Sequence, residues 1–117
     1  MSSRARQVQE PAVSMAQPWA VLSRAIVEER RVRLCYHGHQ RVVCPHVLGW
    51  KNDRPTVLVY QLDGTTSTGA LPQQPQKRWR SMLLDDIEDP VITDGCWQSA
   101  DNYSRHSVNI DRIAVCH

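Results

Sequence analysis

Phenylalanine is absent from the 117 residues, so the bulk of a core must come from Trp19, Trp50, Trp79, Tyr36 and Tyr60. No apolar run approaches the roughly 18 residues that cross a bilayer as a helix. Residues 1–10 carry Arg4 and Arg6 with no hydrophobic block behind them, which is not the pattern of a secretory signal. The expectation is a cytoplasmic protein without membrane contact. The four cysteines (Cys35, Cys44, Cys96 and Cys116) contain no C-x-x-C pair, which argues against a zinc ribbon or knuckle. His37, His39, Cys44 and His46 lie close in sequence, but neighbouring strand positions point to opposite faces, so convergence on one metal ion is not expected. Cys35 and Cys44 read instead as small buried apolar residues. No cofactor is expected. G-x-S-x-G, a phosphate-cradling glycine loop and H-E-x-x-H are all missing. A Cys44–His46 nucleophilic pair would place its thiol in a buried strand, where a thiolate is disfavoured. The chain is expected to be non-enzymatic.

What the sequence does have is segregated charge. Residues 30–80 hold nine basic groups against Asp53 and Asp63, a net of +7, while residues 81–117 hold two against seven acids, a net of −5. Either the middle of the chain builds one positive surface, or the two halves neutralise each other on folding.

The length suits a single domain. Residues 1–17 read as a flexible polar arm, and 18–117 as the folded unit. Pro18 suits the first position of a helix, and Trp19, Leu22, Ala25 and Ile26 make an apolar stripe over 18–29. Val32, Leu34 and Tyr36 alternate with Arg31, Arg33 and Cys35, the period of a half-buried strand. His37-Gly38-His39-Gln40 reads as a tight turn, and a second strand runs from Arg41 with a bulge expected at Pro45. After a polar turn at 51–54, Leu58, Tyr60 and Leu62 share one face of a third strand and Val57 and Val59 the other. Residues 63–76 read as a long loop. Arg78, Arg80 and Met82 alternate with Trp79, Ser81 and Leu83, and Val91-Ile92 and residues 108–115 suggest closing strands. One helix followed by short antiparallel strands predicts a mainly β protein, a small barrel of about five strands.

The order of features is that of a known family. An amphipathic helix precedes a strand ending in Tyr36, then Arg41-Val42-Val43-Cys44-Pro45-His46-Val47-Leu48, then Val57-Leu58-Val59-Tyr60, then Trp79-Arg80-Ser81-Met82-Leu83-Leu84-Asp85-Asp86-Ile87. Over residues 19–92 this resembles the WYL domain, a bacterial ligand-sensing module with an Sm-like barrel. The family's name-giving triplet falls at Thr56-Val57-Leu58, of which only the leucine is kept, and Asp86 stands where a basic residue is usual. The resemblance is therefore to a divergent, stand-alone member. It implies a regulatory module, in transcription or defence, that binds single-stranded nucleic acid or a nucleotide-like anion. The site it implies comprises Arg41, His46 and Arg80, with Arg78 tracking the same backbone and Tyr36, Tyr60 and Trp79 as stacking surfaces. Guanidinium groups suit phosphate, and aromatic faces suit bases. The competing reading is that Arg41 pairs with an acid, His46 is half-buried and satisfied, and Trp79 is core. The chain would then be a protein-interaction or homo-oligomeric subunit docking through its N-terminal arm and helix.

Overall fold

The structure is a computed structural model that describes residues 10–103 and 110–117, with 10–15 described by helical backbone alone. Among the described residues there is one α-helix, α1, which runs from Glu10 to Glu28. It therefore takes in residues 10–17, which the sequence reading gave to the arm; the rest of that arm, 1–9, lies outside the described residues. Pro18 is inside the helix and not at its start. The reason lies in the preceding residues: Ala12, Met15, Ala16 and Gln17 are good helix formers, and Pro11 at the second position forfeits no hydrogen bond. At the other end Glu29 adopts a left-handed φ of 55°. The N–H of Arg30 then bonds Ala25 O and that of Glu29 bonds Ile26 O, the paired bonds of a Schellman stop.

Seven antiparallel strands follow: β1 (Arg31–Tyr36), β2 (His39–Lys51), β3 (Arg54–Thr66), β4 (Gly69–Ala70), β5 (Trp79–Leu83), β6 (Ile87–Thr93) and β7 (Arg112–Cys116). They form one sheet ordered β4-β3-β2-β1-β6, with β5 also on β3 and β7 on β2. The expected closure into a barrel is not seen, and the sheet is open. Its outer strands β5 and β6 are joined in sequence by a 3-10 turn at Leu84–Asp86, not paired to each other. Part of the long loop is structure: β3 continues to Thr66 and turns back as β4, and Pro75–Lys77 forms another 3-10 turn. The hydroxyl- and glycine-rich 63–69 segment lacks the apolar alternation that marks a strand, yet its backbone pairs normally, as Arg41 with Gly64 and Thr65 with Ala70.

The main core is more aliphatic than the lack of phenylalanine suggested. Leu22, Ala25 and Ile26 of α1 are buried on Val32, Leu34, Val43, Leu48, Val57, Val59, Met82, Leu84 and Ile87. Each large aliphatic side chain so buried contributes about 1.5–3 kcal/mol. The helix stripe is thereby covered by the protein's own sheet. On the sheet's other face Val47, Leu58 and Ile110 form a second cluster with Trp79, Tyr103 and Cys116. The bulge expected at Pro45 is present: Pro45 pairs with Val59 and Val47 with Leu58, leaving His46 unmatched. That extra residue changes which parity faces inward, so Val43 and Leu48 both enter the main core.

β7 lies against β2 where Gly49 permits it. A Cβ at Gly49 would overlap Arg112 O and sit 2.8 Å from Ile110 Cγ2. Gly49→Ala should destabilise the fold by about 1–3 kcal/mol. In hydrogen exchange, the loss of protection should concentrate on the amides of 112–116; uniform loss, or none, would count against this close approach.

Candidate functional site

The seven residues singled out from the sequence separate into two places and one outlier. Arg41, Arg80 and Tyr36 line a cleft of about 310 Å³, together with His37, Ser81, Met82 and the 66–68 turn. Strand register explains the convergence. Arg41 pairs with Leu34 in β1 and Gly64 in β3, and so points inward with Leu34 and Tyr36. Arg80, two residues before buried Met82, reaches the same side from β5.

Arg41 is 3% exposed. One terminal nitrogen donates to Gln61 Oε1 at 3.4 Å and the other to Tyr36 O at 3.2 Å, and the guanidinium lies 5.2 Å from the centroid of the Tyr36 ring. Its Nε has no partner among the described residues. Arg80 donates to the Lys77 and Trp79 carbonyls at 2.9 and 2.7 Å, bonds that fix the group without neutralising it. Among the described residues no carboxylate forms an ion pair with Arg41 or Arg80. Burial, and then the nearby Arg80 charge, lowers the Arg41 pKa from its usual value. His37, which lines the cleft, meets the Asp86 carboxylate at 3.1 Å.

Arg78 is the outlier. It was expected to share a face with Arg80, but it ends the Pro75–Lys77 turn with φ −96° and ψ 8°, so strand alternation does not reach it. Its Nε donates to Pro72 O at 2.7 Å, away from the cleft.

His46, Tyr60 and Trp79 belong to an aromatic cluster on the other face. The His46 ring stacks on Trp97 at 4.2 Å and also meets Trp79 at 4.7 Å, Tyr103 at 4.9 Å and His117 at 5.9 Å. Tyr60 meets Trp79 edge-on at 5.1 Å. Trp79 donates its indole N–H to Asn102 Oδ1 at 2.8 Å, and Trp97 donates to Pro45 O at 3.3 Å. These rings cover one another, so His46, Tyr60 and Trp79 are packing residues and do not face the cleft. Fully buried, His46 lies 2.8 Å from Cys44 O through Nδ1. A carbonyl only accepts, so Nδ1 carries the proton and Nε2 is left with a bare lone pair and no partner among the described residues. Burial drives its pKa down from 6.5 to about 4, with the His117 charge adding to the fall.

The other sulfur and imidazole groups go separate ways. Cys44 is buried, accepts from the Gln98 N–H at 3.2 Å, and has its pKa pushed up by burial, the opposite of an activated thiol. His39 Nδ1 meets Thr65 Oγ1 at 2.8 Å, while His37 meets Asp86. Sequence reasoning missed His37, Ser81 and the 66–68 turn in the cleft, and Trp97, Tyr103 and His117 in the cluster. The Thr-Thr-Ser-Thr run at 65–68 was a visible hydroxyl-rich signal, but its place beside Arg41 depends on β3 continuing past Leu62. Among the described residues no helix is long and apolar enough to cross a membrane. No family model, curated protein or solved structure matches the chain.

Proposed function

We propose that the protein is a non-enzymatic binding module whose Arg41–Arg80 cleft receives the phosphate of a nucleotide, free or within a single strand. The observation that carries this is the pair of guanidiniums lining one cleft, neither ion-paired with a carboxylate among the described residues, and a buried Arg41 Nε that has no partner among them. Buried cations are ordinarily paired, so a site of this kind has room for a counter-charge from outside. Arg41 and Arg80 supply charge-assisted N–H donors, and Ser67 and Ser81 supply hydroxyls at the walls. The resemblance of residues 19–92 to the WYL domain supports the same ligand class and a regulatory role. It also reads the ladder as an Sm-like barrel, with the Leu84–Asp86 turn carrying the chain between its outer strands.

The cleft favours one phosphate over a long track, because Arg78, Tyr60 and Trp79 face elsewhere. Binding of adenosine 5′-monophosphate and of a short fluorescent single strand, each measured at several salt concentrations, tests the reading. For the strand, log affinity should fall by about 0.7 per log unit of salt for each phosphate contacted. Arg80→Ala should weaken the mononucleotide about tenfold or more. Equal salt slopes for the two ligands would favour a free nucleotide, and a steeper slope for the strand would favour nucleic acid. If neither ligand binds at low salt, or Arg80→Ala changes nothing, the proposal fails.

A further inference from the structure

The turn joining β1 to β2 has positive φ at both central residues, 51° at His37 and 80° at Gly38. The first of these places is usually filled by Asn, Asp or Gly. Here it holds an imidazole that stacks on the Tyr36 ring, with centroids 4.0 Å apart and planes inclined by 23°. His37 Nε2 lies 3.1 Å from Asp86 Oδ2, and the Tyr36 hydroxyl accepts from the Leu83 N–H at 3.1 Å. The two rings are thus tied down from β5 and from the 3-10 turn that follows it. One face of His37 is taken by Tyr36 and one nitrogen by Asp86. The side chain is still 49% exposed and borders the same cleft as Arg41 and Arg80.

We propose that the outer face of His37 is the platform on which the base of the bound nucleotide stacks. The cleft then selects nucleotides over free phosphate and simple sugar phosphates. This inference rests on the phosphate reading of the cleft and adds the base to it. It also gives the site the aromatic surface that Tyr60 and Trp79 do not supply. A ring already fixed by a stacked neighbour and a carboxylate loses little freedom when a base covers it, which is what preorganisation means for affinity. Stacking makes no use of the base's hydrogen-bonding edge, so discrimination among bases should be weak.

Adenosine 5′-monophosphate and ribose 5-phosphate share sugar and phosphate and differ in the base. Calorimetric titration should show the nucleotide binding about tenfold tighter or more, the range expected of one stacked base. His37→Asn keeps a residue at ease with positive φ and removes the ring. It should bring the two affinities together by weakening only the nucleotide, and His37→Tyr should restore most of the difference. Equal affinities in the parent protein would overturn the proposal, as would a His37→Asn variant that weakens both ligands alike, since that is the mark of a merely structural His37–Asp86 tie. Binding of neither ligand would sink the phosphate reading as well, whereas ribose 5-phosphate binding as tightly as the nucleotide would sink the platform alone.

Discussion

Arg41→Met should lower affinity for a phosphate-bearing ligand about a hundredfold while leaving folding stability within about 1 kcal/mol of the parent. Hydrogen bonds to charged groups are worth about 1.5–3 kcal/mol, and the upper part of that range corresponds to two decades in affinity. The small effect on folding comes from two opposed terms. The variant forfeits the bonds to Gln61 and to Tyr36 O, at 3.4 and 3.2 Å, and the guanidinium's position over Tyr36. It is also relieved of a nearly fully buried cation that has no carboxylate partner among the described residues and sits near Arg80. Methionine is flexible and fills the vacated space. Urea denaturation and ligand titration on the same variant measure the two quantities. A large loss of stability with unchanged binding would make Arg41 a structural residue and remove the basis of the proposed site.

Acid should destabilise the protein through His46 well before the carboxylates titrate fully. Above pH 6.5 the ring is neutral in both the folded and unfolded chain. Between 6.5 and about 4 the unfolded chain takes up a proton that the ring refuses because burial disfavours its charged form, and Nε2 has no partner among the described residues. Stability is therefore complete above the unfolded pKa and is lost as pH falls toward the folded one, by about 3 kcal/mol across the window. The informative quantity is the difference between the parent and His46→Phe, which fills the same aromatic surroundings without a titrating group. Between pH 7 and pH 4.5 the parent should lose about 2–3 kcal/mol of unfolding free energy relative to His46→Phe, whichever of the two is the more stable at pH 7. A difference independent of pH would show that His46 is not held neutral by burial.

The strands nearest the cleft were legible because their periodicity is local. Val32, Leu34 and Tyr36 alternate cleanly, His37-Gly38 marks a turn, and Pro45 announces a bulge. The stripe of Leu22, Ala25 and Ile26 likewise identified the buried helix face. The start of α1 was hidden because Pro18 looks like a first helical residue, and proline preference at that place does not forbid it further along. Barrel closure was inferred from strand count, but pairing partners are set by long-range register that no local pattern contains.

The site was legible only in part, for related reasons. Arg41, Arg80 and Tyr36 line one cleft, since their neighbours Leu34 and Met82 fix their faces. His46 lies on the other side because it is five positions after Arg41 on β2, an odd separation that strand alternation puts on the opposite face, ahead of the offset between Pro45 and Val47. Arg78 left the strand pattern by terminating a 3-10 turn. Trp97 and Tyr103 reach His46 from more than fifty residues away on irregular chain, held by bonds such as those of the Trp97 indole N–H to Pro45 O and the Gln98 backbone N–H to Cys44 Sγ, while His117 follows β7 and bonds His46 O through its N–H. Neither spacing nor composition indicates such contacts.

The central claim is that the arginine cleft receives the ligand and the aromatic cluster serves packing. The most direct test is an NMR titration of ¹⁵N-labelled protein with adenosine 5′-monophosphate, following the arginine Nε–H and tryptophan indole signals together. Arg41 and Arg80 should shift and saturate with one affinity while the Trp79 and Trp97 indoles stay in place. Shifts confined to those two indoles, with both arginine signals unmoved, would contradict the account.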